Sequence, residues 1–133
     1  MQWTENLSIG VESIDEQHKK LFEMTDQLFD AGKKNKAMDF IVDLLNFMDD
    51  YTKKHFSDEE AYMQKIGFPG YPEQKKAHDE LIQQIKILKK DYEASGGNII
   101  LIINANQILL DWLIQHISRE DKKIGEFARS IGR

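Results

Sequence analysis

Apolar residues recur at helical spacing in four successive blocks of this chain, and no block alternates as a β-strand would. Short segments rich in turn-forming residues separate the blocks, such as residues 67–72 between the second and the third. Helices joined by short loops lie antiparallel to their neighbours in space. The pattern therefore predicts an all-α fold, an up-down-up-down antiparallel four-helix bundle.

Local signals indicate where the helices begin and end. Ser13, with Glu16 three residues later, predicts a capping box at the start of the first helix, and Gly32 predicts its end. Pro72 is suited to the first turn of the third helix, and Asn98 is suited to the N-cap of the fourth.

The chain has 133 residues, enough for one core and too few for two ordinary domains. We expect a single domain over residues 1–133. Residues 1–13 precede the first block and include the apolar residues Trp3, Leu7 and Ile9. They are expected to form an extended N-terminal arm that packs on a bundle of residues 14–131.

The composition excludes several classes of function. The chain has no cysteine, so thiolate metal sites and cysteine nucleophiles are excluded, and nitrogen and oxygen must hold any metal. A net charge of −5 argues against nucleic acid as a partner. The longest uninterrupted apolar stretch, residues 99–103, is far too short to span a membrane, and the N-terminus lacks a secretory signal. We therefore expect a cytoplasmic protein, and its dispersed charge favours a monomer.

All four histidines of the chain fall on the apolar faces of the predicted helices, one on each helix. They are His18, His55, His78 and His116. A single histidine in such a position is more often an ordinary core or boundary residue than a metal ligand. Four of them are hard to explain in this way, because each buried imidazole needs a partner.

Two carboxylates strengthen this pattern. Glu59 lies four residues after His55, so both project from one face of the second helix. Asp121 follows His116 by five residues, which is about 140° of rotation in a regular α-helix. The two side chains converge only if the helix widens into a π turn or breaks there. Taken alone, Asp121 would instead be a solvated residue near a helix end.

Other polar residues near these positions are interpreted separately. Gln74 lies four residues before His78 on the same face, and it is either a buried amide or the replacement for a ligand. The remaining acidic neighbours are expected to be helix caps or surface residues: Asp15, Asp26, Asp58 and Glu60.

The histidines and carboxylates together predict a cavity inside the bundle that suits iron, manganese or zinc. The Glu-x-x-His pattern of ferritin-like di-iron bundles does not occur in the chain. Apolar residues one turn from the site could form a dry pocket, although ordinary core packing explains them equally well. These residues are Phe56, Met63, Leu109, Trp112 and Leu113.

Over nearly its whole length the chain resembles the bacterial hemerythrins. The resemblance rests on Trp3, residues 14–18, residues 55–60 with Met63, residues 70–72, and residues 112–117 with Asp121. It implies two iron ions with an oxo or hydroxo bridge and reversible binding of dioxygen. By this resemblance His18 and His55 bind one iron, His78 and His116 bind the other with one further histidine, and Glu59 and Asp121 bridge the two.

The further histidine of the family would stand at position 74, where this chain has Gln74. With five imidazoles, the coordination count of two six-coordinate irons leaves one vacancy, which dioxygen enters. With four imidazoles, either Gln74 or water supplies the missing ligand, or a second position opens. Two alternatives follow: a di-iron enzyme that reduces peroxide, nitric oxide or dioxygen, and a structural bundle that holds one metal ion or none.

Overall fold

The computed structural model describes residues 3–132 and contains four long helices, as the spacing predicts. No β-strand occurs in this part of the chain. A short 3-10 turn at Glu5–Leu7 precedes the helices, and a π turn at Ile117–Asp121 follows the fourth. The helices are α1 (Glu12–Lys33), α2 (Met38–Ile66), α3 (Tyr71–Ala94), α4 (Ile99–His116) and a final α5 (Lys122–Ser130).

The helices form a four-helix bundle, which confirms the predicted fold class. Helix α1 packs against α2 and α4, and α3 packs against the same two helices. The connections at residues 34–37, 67–70 and 95–98 are only four residues long, so consecutive helices are neighbours. Each helix therefore turns one side toward a common interior.

Most of the predicted helix ends agree with the structure. Gly67 ends α2 in the left-handed conformation with φ of 69°, which favours glycine. Pro72 lies in the first turn of α3, and the side chain of Asn98 accepts a hydrogen bond from the backbone N–H of Ile100. The connections at residues 67–70 and 95–98 are thus encoded locally.

The predicted limits of α1 were wrong at both ends. The helix begins at Glu12, because the carbonyl of Val11 already accepts a hydrogen bond from the N–H of Asp15. Ser13 therefore lies inside the helix, where its hydroxyl cannot cap the first turn, and no capping box forms. The helix also continues through Gly32 to Lys33.

The arm that precedes α1 packs on the bundle, and its Leu7 and Ile9 side chains are buried. Asp15 fastens it: its carboxylate accepts hydrogen bonds from the Ser8 hydroxyl at 2.6 Å and the Ile9 N–H at 2.9 Å. Asp15 is thus a buried anchor, and the prediction of a cap or surface residue was wrong. Residues 1 and 2 of the predicted arm lie outside the described residues.

Among the described residues, one helical run, residues 99–130, is long and apolar enough by length and composition to cross a membrane. The core helix of a soluble protein passes the same test. In this bundle the run contributes Ile102, Leu109 and Leu113 to the core. The apolar window is 33% buried, and Ile100 and Ile108 are exposed, so the packing of the bundle accounts for part of its apolar character.

Candidate metal centre

Six side chains from the four long helices and the π turn converge in the interior of the bundle. All are at most 8% exposed, and they form two groups. Within each group, the potential ligand atoms all lie within 4.8 Å of one another. The first group is His18, His55 and Glu59, and the second is Glu59, His78, His116 and Asp121. We call His18 and His55 the first histidine pair, and His78 and His116 the second.

Each of the two carboxylates lies between the two histidine pairs. Glu59 Oε2 is 3.4 Å from the Nε2 atoms of both His18 and His55, while its Oε1 is 3.1 Å from His78 Nε2. Asp121 Oδ2 is 3.1 Å from His18 Nε2, and its Oδ1 is 3.3 Å from His116 Nε2. Both carboxylates thus offer one oxygen to each pair, the arrangement that bridges two cations.

Several atoms of this cluster are buried without a hydrogen-bond partner. They include both carboxylate oxygens of Glu59 and the Nε2 atoms of His18, His78 and His116. Buried polar atoms without partners are costly, and bound cations supply the missing interaction. Imidazole nitrogen and carboxylate oxygen without sulfur suit iron, manganese or zinc, so the residues present fit a pair of such ions.

The π turn at Ile117–Asp121 explains how His116 and Asp121 meet. It departs from α-helical hydrogen bonding over five residues, and it leaves Asp121 only 1% exposed beside His116. The predicted departure from a regular helix is confirmed. The alternative of a solvated Asp121 was wrong, because the wider turn compensates for the extra residue in the spacing.

The imidazoles and carboxylates of the cluster shift the pKa values of one another. Burial disfavours the protonated form of His18, but the carboxylates of Asp121 and Glu59 outweigh burial and raise the pKa of His18 to about 9. Burial also opposes ionisation of Glu59, yet the imidazoles of His18, His55 and His78 hold its pKa well below the ordinary value. Without a metal, the cluster therefore holds a proton where a cation fits.

Two polar side chains contact the outer nitrogens of the histidines. His55 Nδ1 lies 2.7 Å from Gln17 Oε1, and His78 Nδ1 lies 2.8 Å from Glu60 Oε2. Such contacts orient an imidazole and fix its tautomer. Glu60 is therefore part of the site, and its prediction as a surface residue was wrong. Asp58 is exposed, as predicted, and accepts a hydrogen bond from Gln17 Nε2.

Gln74 is buried next to the cluster. Its Nε2 donates a hydrogen bond of 3.0 Å to Asp121 Oδ1, and its Oε1 is buried with no partner. The amide thus contacts the carboxylate oxygen that also faces His116. The sequence left two roles open for Gln74, a buried amide and the replacement for a ligand. The hydrogen bond to Asp121 is that of a buried amide.

Comparison with known proteins identifies the family. The profile of the hemerythrin HHE cation binding domain matches residues 9–128. The chain belongs to the hemerythrin family. Among its relatives is a bacteriohemerythrin of Methylococcus capsulatus strain Bath, which is 32% identical over 126 residues and covers 94% of each chain. The myohemerythrin of Sipunculus nudus is 31% identical over 121 residues, which are 91% of this chain and 88% of that protein.

A crystal structure of wild-type hemerythrin is also similar to this chain. Its TM-score is 0.84 at 30% sequence identity, and the match covers 95% of both chains. The four-helix bundle and the buried cluster of this hemerythrin therefore agree with the family found from the sequence.

The apolar residues predicted around the site lie in this hemerythrin against the second histidine pair and the core. The Phe56 ring stacks on His78 with centroids 3.8 Å apart, and Trp112 stacks on His116 at 4.4 Å. Met63 is fully buried. Leu109 and Leu113 line a small cavity of about 10 Å³ between the helices. Phe56 and Trp112 therefore cover the second histidine pair, while Met63, Leu109 and Leu113 lie in the core of the bundle.

Sequence reasoning brought together the six candidate residues and missed the contacts of Gln17 and Glu60. Glu60 is 18 residues from His78 along the chain and on another helix, so no local spacing indicates the contact. The signal that could have found it is the position of Glu60 itself. It lies four residues after Phe56, the residue whose ring stacks on His78, so both project from one side of α2.

Proposed function

We propose that this hemerythrin holds two iron ions in the buried cluster and binds dioxygen reversibly, as a carrier, store or sensor. The first iron would be held by His18 and His55 and the second by His78 and His116, with Glu59 and Asp121 bridging them. When bound, a ferrous pair supplies the electrons that reversible binding of dioxygen requires.

The observation that carries this proposal is the position of the two carboxylates between the histidine pairs. Glu59 and Asp121 each present one oxygen to either pair, at 3.1–3.4 Å from the facing imidazole nitrogens. A single cation would use only one side of this arrangement. Two cations use both sides, and they supply partners for the buried oxygens of Glu59 and the buried Nε2 atoms of the histidines.

The remaining residues of the site exclude water and orient the ligands. Phe56 and Trp112 stack on the second histidine pair and limit its contact with solvent. Gln17 and Glu60 fix His55 and His78 from outside. A dry and rigid site favours reversible binding, because loss of reduced oxygen requires proton transfer from water or from a side chain.

Dioxygen, or a similar small diatomic molecule, is the proposed partner. We further propose that the protein acts as a monomer in the cytoplasm without binding nucleic acid or membranes. The net charge of −5 supports this view for nucleic acid, because phosphate binding needs a basic surface. For the monomer, the support is that the lysine pairs are spread along the whole sequence, as at residues 33–34, 75–76 and 122–123, and not gathered in one segment.

A reductive enzyme is the second candidate, and Gln74 is the observation that favours it. Where its relatives would place a fifth histidine according to the resemblance, this chain has an amide that contacts Asp121. An iron with fewer imidazole ligands is more open to reaction with peroxide, nitric oxide or dioxygen.

The test is reconstitution of the protein with ferrous iron under nitrogen, followed by metal analysis and optical spectra through repeated oxygen and argon cycles. About two irons per chain and a charge-transfer band that appears and disappears with oxygen are expected. A stoichiometry near one overturns the iron pair. Rapid loss of the band with consumption of an electron donor supports the enzyme instead, and absence of bound metal supports a structural bundle.

A further inference from the structure

The resemblance to the family implies a fifth histidine ligand at position 74, where this chain has Gln74. It lies on α3 one turn before His78 and is 3% exposed. Its Nε2 donates to Asp121 Oδ1 at 3.0 Å. A carboxylate only accepts hydrogen bonds, so the amide must present its nitrogen, not its oxygen, to Asp121.

This orientation matters because of the atom that Gln74 contacts. Asp121 Oδ1 is also the oxygen that lies 3.3 Å from His116 Nε2, so it belongs to the second histidine pair. An amide nitrogen has no free electron pair for a metal. In this geometry Gln74 stabilises the carboxylate that faces the second pair and does not add a ligand there.

The oxygen of the same amide remains unused. Gln74 Oε1 is buried and accepts no hydrogen bond in the part of the chain that the structure describes. A buried acceptor without a donor is costly. A water molecule held at the second metal position would supply such a donor, because its protons point away from the metal.

The two metal positions then have equal numbers of histidines. The first has His18 and His55, the second has His78 and His116, and Glu59 and Asp121 each present one oxygen to either pair. At a six-coordinate iron, two imidazoles, two carboxylate oxygens and the proposed oxo or hydroxo bridge would leave about one position for an exogenous ligand. A fifth imidazole would fill one such position, and Gln74 does not.

We propose that Gln74 leaves an exchangeable position at the second metal, occupied by water at rest, so that the iron pair takes up two small exogenous ligands. This inference rests on the proposed iron pair and extends it. Gln74 acts as a positioning residue that donates a hydrogen bond to Asp121 and whose Oε1 accepts a hydrogen bond from the exchangeable water. Small anions displace that water.

The test is an azide titration of the diferric protein, with bound azide measured by equilibrium dialysis and optical spectra. We expect two azides per iron pair in the unchanged protein and one in Gln74→His, whose imidazole fills the second position. Gln74→Leu cannot bind metal and should still take two. Gln83→His adds an exposed histidine elsewhere on α3 and should also take two.

A second measurement does not depend on azide. Release of iron to an excess of chelator should be about ten-fold slower, or more, in Gln74→His than in the unchanged protein. Groups that only contact the ligands change metal affinity by about 10–100-fold, and an added ligand should change it at least as much. Gln83→His should release iron at the unchanged rate. Circular dichroism of each variant checks that the bundle is folded.

The azide stoichiometries separate the possible failures. One azide in the unchanged protein and two in Gln74→Leu would mean that Gln74 Oε1 binds the metal, and one in both would mean that the second position is closed. Two azides in Gln74→His would mean that position 74 does not reach the second metal. Each result overturns the inference and leaves the iron pair intact. A chain that binds no iron pair overturns the proposed function and this inference with it.

Discussion

His78 Nδ1 lies 2.8 Å from Glu60 Oε2, in a contact that joins α3 to α2 at the edge of the candidate metal centre. Glu60 is only 15% exposed, so water screens this contact weakly. The equivalent outer nitrogen of His55 meets the neutral amide of Gln17 instead. A carboxylate partner makes an imidazole more basic than an amide partner does, and a more basic imidazole binds a metal ion more strongly.

Glu60→Gln should therefore weaken the hold on metal at the second histidine pair. We expect iron release to a chelator to become about ten-fold faster, within the range of about 10–100-fold typical of such contacts. Glu80→Gln makes the same chemical change at an exposed position of α3 and should leave the rate unchanged. Equal rates for the two variants would show that Glu60 does not tune the site.

Loading the site with metal should release protons near neutral pH. In the metal-free protein the neighbouring carboxylates raise the pKa of His18 to about 9, so its imidazole is protonated at pH 7. A metal ligand must be neutral, so binding displaces this proton. Titration with Zn²⁺ in weakly buffered solution measures the release. It should decline as the pH is raised through about 9, and a constant release across this range would contradict the shifted pKa.

The fold and the six candidate residues could be predicted because their signals are periodic. His55 and Glu59 are one helical turn apart, so their common face follows from the sequence alone. The wider spacing of His116 and Asp121 predicted a π turn or a break in the helix, and the structure has the π turn.

Contacts between separate elements were not predictable in this way. Asp15 and Glu60 are both acidic residues that a helical pattern assigns to solvent. The structure buries Asp15 and partly buries Glu60, each against a partner from elsewhere in the chain. The partner of Asp15 is the arm before α1, and the partner of Glu60 is on α3. Neither pairing has a fixed sequence spacing, so only the packed structure reveals it.

The unfolding free energy of the metal-free protein should be greatest in mildly acidic solution. The folded pKa of His18, about 9, is above its ordinary value of 6.5, so its contribution is complete below pH 6.5 and is lost as the pH rises through about 9. The pKa values of Glu59 and Asp121 are lowered from 4.5 and 3.8, so their contribution is lost as the pH falls below those values. Urea unfolding across the pH range measures the curve. Stability that rises steadily from pH 6.5 to 9 would contradict this assignment.

Asp15→Ala should destabilise the protein through the arm. It removes the acceptor of the Ser8 hydroxyl and leaves the buried N–H of Ile9 without a partner. The expected loss is about 1–3 kcal/mol of unfolding free energy, measured by urea denaturation. Glu16→Ala changes an exposed carboxylate on the same helix and should cost far less, because its contact with Lys19 is solvated. A loss no larger than that of Glu16→Ala would mean that Asp15 does not anchor the arm.

Gly125 in α5 faces the backbone of Ile9 in the arm. A Cβ atom added at this position would overlap the carbonyl oxygen of Ile9, so one backbone segment would have to move away from the other. Gly125→Ala should therefore lower the unfolding free energy by about 1–3 kcal/mol, as overpacking of a close contact does. The tryptophan fluorescence should also change, because Trp3 lies on the displaced arm.

Gly32→Ala is the matched change within α1. Its added Cβ would meet side-chain carbons of Ile102 and Ile103 at 3.4 Å, which is ordinary van der Waals contact. Replacing glycine inside a helix gains about 0.5–1 kcal/mol, so this variant should be as stable as the unchanged protein or more stable. Urea denaturation of both variants gives the comparison. Equal unfolding free energies for Gly125→Ala and Gly32→Ala would contradict this prediction. They would mean that the carbonyl of Ile9 moves away from α5 without lowering the stability of the protein.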